Sequence, residues 1–347
     1  MYSHVGGNVY CQNIEGINVH MCSNLFSMHQ IKKYALTSST IITNYKQRNM
    51  NKVGIIVVTY NRLMLLKEVI ESLRSQTYKD YDIVVVNNGS TDETESWLKE
   101  QRDVKTITQA NLGGAGGFYT GMKYVAEQGF EYCWIMDDDV ICSPTALEEL
   151  LKAVKVRDDI GFVCSRVLGI DGLPMNTPIP AVNTMNEGQY SDVFELVNDY
   201  AMVRVSMSTF VSVLIPSHII YKIGLPYKDY FIWGDDFEYT ERISVKYPSY
   251  VACRSEVVHK RAIQAMLSFF TEPDKKRLNN YFYMFRNMAF TKLKNGGVNT
   301  KIVHIITSTM TSLRLLLKGD FTRFRIFMRS QMALFTFHPK IEIPEKK

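Results

Sequence analysis

From residue 53 the apolar positions alternate between two rhythms. Val53–Thr59 is an unbroken, largely β-branched run, the pattern of a strand covered on both faces. Leu63–Ser75 then places Leu63, Leu66, Val69, Ile70 and Leu73 at helical spacing. The alternation continues with a buried strand at Asp82–Val86, a helix at Thr91–Glu100 led by Ser90 or Thr91, and a weaker strand at Val104–Thr108. A glycine-rich turn leads to a helix over Gly117–Gln128, and Tyr132–Met136 reads as a strand. Ser143 is placed to cap the next helix, with Pro144 at its first position and Ala146–Val156 as its body. This rhythm predicts an α/β fold whose parallel sheet is flanked by helices, with ligands at the carboxyl ends of the strands.

Beyond residue 160 the rhythm loosens. Residues 170–200 are rich in Gly, Pro, Asn and Asp and read as loop. Ala201–Pro216 returns to strand, and Asp236–Lys246 reads as helix behind Pro226–Trp233. Pro273–Lys294 is a further helix, and residues 300–335 read as two helices broken at Gly319-Asp320. Residues 1–49 lack any sustained period and any signal-peptide pattern, and are expected to be an extension ahead of a working start at Met50. The expected organisation is an extension over 1–49, a catalytic domain over 50–265 and a basic helical region over 266–347.

Composition narrows the class. With 46% hydrophobic residues the chain buries enough apolar surface to exclude a disordered protein. Six cysteines at irregular spacing, without a C-x-x-C pair, argue against a zinc ribbon or a disulfide framework and for a reducing compartment. The net charge of +5 belongs to the ends: residues 1–50 carry +3, residues 301–347 carry +6 and the body carries −4. That distribution argues against a general nucleic-acid binder and points to an anionic surface met by one end.

The candidate chemistry sits at strand ends. Asp137-Asp138-Asp139 follows an apolar strand, where mutual repulsion calls for a cation. Alternate residues share a face, so Asp137 and Asp139 are placed to hold one divalent ion, manganese or magnesium, on a diphosphate. Trp233-Gly234-Asp235-Asp236 opens a helix whose dipole favours carboxylates, and an aromatic neighbour tunes basicity; a general base belongs here. His259 ends the strand Val257-Val258, where an imidazole either completes a metal site or is structural. Thr59-Tyr60-Asn61-Arg62 ends the first strand, with Arg62 suited to a diphosphate. Asn88 and Asp92, after the second strand, offer polar groups to a base and ribose, or simply form a turn. Asn111–Gly117 carries four glycines ahead of a helix, a weak phosphate signal without Rossmann or Walker spacing.

Taken together these residues resemble the family 2 inverting glycosyltransferases of GT-A fold, over about residues 53–260. The closer resemblance is to the galactofuranosyltransferase and rhamnosyltransferase branch. It rests on Val-Val-Thr-Tyr-Asn-Arg, Val-Asn-Asn-Gly-Ser-Thr-Asp, the aspartate triplet, Asn111–Phe118, Trp233–Tyr239, His259 and the tyrosine-rich Tyr281–Asn287 ending in Arg-Asn. The resemblance implies a Rossmann-like, mostly parallel sheet flanked by helices, with a helical C-terminal region. It implies Asp137, Asp139 and His259 as metal ligands, Asp236 as the base for the acceptor hydroxyl, and Asp235 as an orienting carboxylate. The implied donor-binding residues are Thr59, Tyr60, Arg62, Asn88, Asp92, Asn111, Gly114, Gly117, Asp138 and Trp233. Asn87 stands where many relatives have aspartate, which weakens one expected contact to the base.

The implied reaction moves a sugar, galactofuranose from UDP-galactofuranose by preference, to a cell-envelope glycan or a lipid-linked oligosaccharide. A dTDP-rhamnose donor, a nucleotidyltransferase and a noncatalytic scaffold subunit are the alternatives; Thr59–Arg62 lacks the glycine- and lysine-rich loop of a nucleotidyltransferase. Residues 301–337 mix apolar and basic side chains without an 18-residue uncharged span. They suit peripheral contact with the inner face of the cytoplasmic membrane or packing onto a partner.

Overall fold

The computed structural model describes residues 53–181, 196–261 and 268–346. The expected extension over 1–49 lies outside the described residues. The first strand, β1 (Val53–Thr59), is buried along its whole length. Its odd residues Ile55 and Val57 pack on Leu66, Val69 and Ile70 of α1 (Leu63–Arg74). Its even residues Ile56 and Val58 face the opposite core. Both faces are covered, which is why the run is continuously apolar. Truncating Ile56 to alanine would leave a cavity there and cost about 2–5 kcal/mol.

β2 (Tyr81–Asn87), α2 (Thr94–Glu100), β3 (Val104–Thr108), α3 (Gly113–Glu127) and β4 (Tyr132–Asp137) complete the parallel half. β1 pairs in parallel with β2 and β4, and β2 with β3. α2 starts three residues later than the pattern suggests, and Asp92 Oδ1 accepts from the Thr94 amide at 3.1 Å at its start. α3 starts earlier than expected: the glycine run is its first turn, not a loop ahead of it.

β5 (Val140–Cys142) follows β4 directly, and α4 (Ala146–Val154) begins after a turn in which the Ala146 amide donates to the Ser143 carbonyl. Ser143 therefore makes a turn and does not cap the helix by its side chain. β6 (Val163–Leu168), β7 (Ile179–Pro180), β8 (Met202–Met207) and β9 (Val213–Pro216) follow. The single strand expected over Ala201–Pro216 is two, because β8 and β9 pair with different neighbours. α5 (Ser217–Ile223), a short 3₁₀ turn at Lys228–Tyr230 and α6 (Asp235–Ser244) lead into β10 (Ser249–His259). The sheet order is β3-β2-β1-β4-β9-β6-β10-β8-β7, with β5 beside β10. Its second half is mixed: β9 runs antiparallel to β4 and β6, while β10 runs parallel to β6.

Three helices end the chain: α7 (Lys275–Asn295), α8 (Val298–Leu317) and α9 (Phe321–Ala333). Asp274 and Asp320 cap α7 and α9 through the amides of Arg277 and Arg323. Gly319, at φ 66°, makes the break between α8 and α9. The helices form their own apolar cluster around Tyr281, Leu315 and Phe327, against which Trp233 packs. Among the described residues no helix is long and apolar enough to cross a membrane.

Candidate active site

β4 ends in Asp137, so the triplet leaves the sheet at the carboxyl edge of its parallel half. The chain then reverses into β5, which pairs antiparallel with β10 so that Val140 lies opposite His259. This short pairing brings the histidine to the triplet across more than a hundred residues. Ligand atoms of Asp137, Asp139 and His259 lie within 4.8 Å of one another, a spacing compatible with one shared divalent cation.

The donor set fits a cation on its own evidence. His259 Nδ1 lies 2.9 Å from Asn176 Oδ1. In the tautomer whose Nδ1 proton goes to that amide oxygen, Nε2 turns its lone pair to Asp139 Oδ1 at 3.1 Å. Asp139 Oδ1 is buried with His259 as its one polar neighbour among the described residues, and despite burial His259 and Arg62 hold the Asp139 carboxyl below its ordinary range. In that tautomer the two facing acceptors would be relieved by a cation between them. Burial, with Asp139 and Asp138 alongside, holds the Asp137 carboxyl well above the ordinary carboxylate range, which also marks a site short of positive charge.

Arg62 and Thr59 hold the other two carboxylates. Thr59 Oγ1 donates to Asp138 Oδ2 at 2.8 Å, and Arg62 Nη1 donates to Asp138 Oδ1 at 3.0 Å and Asp139 Oδ2 at 2.8 Å. Burial raises the Asp138 pKa despite Arg62 and Thr59. Arg62, expected on a diphosphate, here also orients the triplet, while its side chain remains about half exposed. Tyr60 is exposed beside it. Asn61 bridges to the second strand end, its Oδ1 accepting from the Thr91 amide at 2.6 Å.

Asn88 has a different task from the one its position suggests. Its Oδ1 accepts from Leu112 N and Gln109 Nε2, and its Nδ2 donates to the Gly113 carbonyl and to Asn111 Oδ1. It is buried and engaged on the loop before α3, so it shapes that loop. Asn111 is part of the same network, its Oδ1 accepting from the Gly113 amide at 2.9 Å. Asp92, exposed, is occupied at the start of α2.

The glycine run divides by role. Gly113 has φ 72°, and a Cβ there would lie 1.9 Å from the Phe231 carbonyl oxygen. Gly117 meets Val58 of β1, where a Cβ would come within 2.4 Å of Cγ1. It serves helix–sheet contact, not an open donor site as expected. Gly114 alone of these borders open space.

The Phe231 carbonyl accepts from the Ala115 amide at 3.1 Å, tying the start of α3 to the segment before α6. That segment is held in an unusual form. Phe231 and Trp233 lie at φ 65° and 62°, and Gly234 at 91°. Non-glycine residues there cost about 1–3 kcal/mol each and persist only where neighbours enforce them. Asn287 of α7 enforces them: its Nδ2 lies 2.9, 3.2 and 2.8 Å from the carbonyl oxygens of Tyr230, Ile232 and Trp233. Arg286 donates to the Asp229 carbonyl at 2.8 Å and stacks 3.7 Å from the Phe337 ring centroid. The sequence marks Arg286-Asn287 as a motif, but nothing in it says that these side chains bind backbone more than fifty residues away.

The clamp delivers the acidic pair. Asp235 is buried and Asp236 partly exposed at the first turn of α6. Burial, then the Asp236 charge, pushes Asp235 up to about 8. Burial pushes Asp236 up to about 6, against the pull of backbone amides including Phe237, whose N–H donates to Oδ1 at 2.8 Å. Two adjacent carboxyls with pKa values driven apart form a neutral acid beside a base ready near pH 7. The Asp236 charge also acts on Asp137, which puts the pair within electrostatic reach of the cation site. Glu238 and Arg242, paired at 3.0 Å through both carboxylate oxygens, lock the next turn of the helix.

Residues 54–205 match the family model described as Glycosyl transferase family 2. The galactofuranosyltransferase GlfT1 of Mycobacterium tuberculosis is 28% identical over 192 residues, covering 54% of this chain and 63% of that protein. An uncharacterized glycosyltransferase of Nostoc is 33% identical over 117 residues, covering 32% of this chain and 35% of its own. The chain thus spans less than two thirds of the length of these relatives. A crystal structure of S. aureus TarS 1-349 in complex with UDP has TM-score 0.48 at 15% identity, covering 82% of this chain and 72% of that one.

Proposed function

From the premise that the chain is a family 2 glycosyltransferase, carrying that domain over residues 54–205, we propose that it is an inverting, metal-dependent enzyme. It moves galactofuranose from UDP-galactofuranose to a hydroxyl of a cell-envelope glycan or lipid-linked oligosaccharide. The observation that carries the reading is the pairing of an acceptor-rich site at Asp137, Asp139 and His259 with a base tuned to about 6 at Asp236. The choice of sugar is supported by the Asn111–Phe118 and Trp233–Tyr239 motifs and by the likeness to GlfT1.

A divalent cation, manganese or magnesium, held by Asp137, Asp139 and His259 would neutralise charge on the departing diphosphate. Ionised Asp236 takes the proton of the acceptor hydroxyl as its oxygen bonds to the anomeric carbon of the donor. The bond from that carbon to the diphosphate breaks on the opposite face, and its electron pair leaves with the nucleotide diphosphate. Asp235 keeps its proton near neutrality and so does not compete for the acceptor proton. Arg62 fixes Asp138 and Asp139 and turns its exposed edge to the incoming diphosphate. Trp233, two residues before Asp235, packs on the C-terminal apolar cluster against Tyr281.

The test is nucleotide diphosphate release by the full chain with manganese, with and without EDTA, and by Asp236→Asn. Release that EDTA and the substitution both abolish supports the reading. Release that persists in Asp236→Asn removes the base from it.

A further inference from the structure

α8 is amphipathic in the opposite sense to a surface helix of a globular protein. Its inner side, towards α9, is His304, Ser308, Thr311 and Ser312, with Leu315 as the one buried residue. Ser308 Oγ lies 3.3 Å from Gln331 Oε1, and Ser312 Oγ the same distance from Met328 Sδ. Its outer side carries Ile302, Ile305, Ile306, Leu313, Leu316 and Leu317 at spacings of three and four, all exposed, Leu317 by 88%. The stripe contains no charge from Val298 to Leu317. Thr309, which interrupts it, turns its hydroxyl onto the Ile305 carbonyl at 2.9 Å and so makes no demand on water.

Cations border the stripe. Lys301 flanks one margin near its start and Arg314 the other near its end. Over Val298–Ala333 there are six cationic side chains against one acid, Asp320, which Arg323 neutralises at 2.8 Å. Arg325 and Arg329 are exposed on α9, beside an open cavity of about 1050 Å³ lined by Phe282, Phe321 and Met332.

We propose that the outward face of α8 is a docking surface for an anionic lipid bilayer, lying in the headgroup boundary with its isoleucines and leucines in the acyl region. An apolar stripe along a helix of 20 residues, unable to span and flanked by positive charge, has the form of an interfacial helix. A second copy of the chain is the weaker occupant, since pairing stripe to stripe would oppose the same excess of cations. Binding to lipid is independent of the transfer reaction and is read without turnover.

The experiment is co-sedimentation of the full chain with vesicles of phosphatidylcholine alone or with about a third phosphatidylglycerol. The native chain is expected to bind the anionic vesicles at least about ten-fold more tightly than the neutral ones. Ile306→Glu with Leu313→Glu is expected to lower binding by about ten-fold or more, with the melting temperature unchanged because both residues are exposed. Leu317→Glu at the most exposed position guards against a folding defect in that variant. Absence of binding to anionic vesicles overturns the proposal, as does binding that both stripe variants retain. Dimerisation in solution that the same substitutions abolish, without vesicle binding, assigns the stripe to a second copy instead.

Discussion

Asn287→Ala removes one side chain that is remote from the reacting atoms and tests whether the acidic pair depends on it. Its amide supplies two N–H groups to three carbonyl oxygens, those of Tyr230, Ile232 and Trp233. Losing the two N–H donors, together with the two bonds that Asn287 Oδ1 accepts from Arg286, costs about 4 kcal/mol at about 1 kcal/mol each, part of it returned as Phe231 and Trp233 relax from positive φ. At roughly 2–4 °C per kcal/mol for a domain of this size, the melting temperature falls by about 5–10 °C. Activity falls further. Relaxation moves Trp233 and Gly234, and with them the start of α6, where a displacement of about 1 Å costs on the order of 100-fold in rate. The expected signature is a kcat lowered about 10- to 100-fold with little change in donor KM, because the metal and diphosphate groups lie on other elements. A second signature is specific to positioning. Opening the segment to water lowers the Asp236 pKa from about 6 towards the ordinary carboxylate value, so the acid limb of the kcat profile moves down. Asn287→Asp is expected to be worse than alanine, since it sets a carboxylate against three carbonyls. Steady-state kinetics between pH 4 and 9 would decide it. An Asn287→Ala enzyme with native kcat and an unmoved acid limb, or a loss of KM alone, refutes the reasoning.

The other predictions concern the charges. The native kcat is expected to fall tenfold per pH unit below about 6 as Asp236 protonates, and Asp236→Asn to lose about 10²- to 10⁴-fold together with that limb. Asp235 is raised in the folded state, so the stability it contributes is present below the ordinary value of 3.8 and lost as pH rises through about 8. Asp235→Asn, which cannot ionise, is therefore expected to gain melting temperature relative to the native chain across that window, and an unchanged difference would contradict the burial account. His259→Ala is expected to weaken manganese binding about 10- to 100-fold by calorimetry, without the same loss in Asn88→Ala.

The parallel half of the fold was legible because burial on both faces writes itself as continuous apolar runs, as in β1 and β2. α6, α7 and the break at Gly319 were legible from their acidic, basic and glycine boundaries. The mixed half was not: β9 inserts between β4 and β6 by tertiary pairing, and no local pattern in Val213–Pro216 announces its neighbours or direction. The glycine run misled because glycine serves both a turn and a tight helix–sheet contact, and Gly117 against Val58 is the second. At the site, the triplet and the acidic pair were readable as chemistry. That His259 reaches Asp139 depends on the pairing of β5 with β10, and that Asn287 holds Trp233 depends on α7 folding back. Asn88 looked like a ligand group because a polar strand end suits either a ligand or a loop, and only its four partners tell which.

The most direct measurement of the central claim is a donor panel. The full chain would be incubated with manganese and UDP-galactofuranose, UDP-galactose, UDP-glucose or dTDP-rhamnose, with and without a lipid-linked acceptor extract, and nucleotide diphosphate release followed. The account predicts release of UDP from UDP-galactofuranose that depends on acceptor, on metal and on Asp236. Release of dTDP from dTDP-rhamnose would keep the metal-assisted mechanism and change the sugar. No release from any donor by folded protein, beside an active control enzyme, would contradict the assignment of Asp137, Asp139, His259 and Asp236 to catalysis.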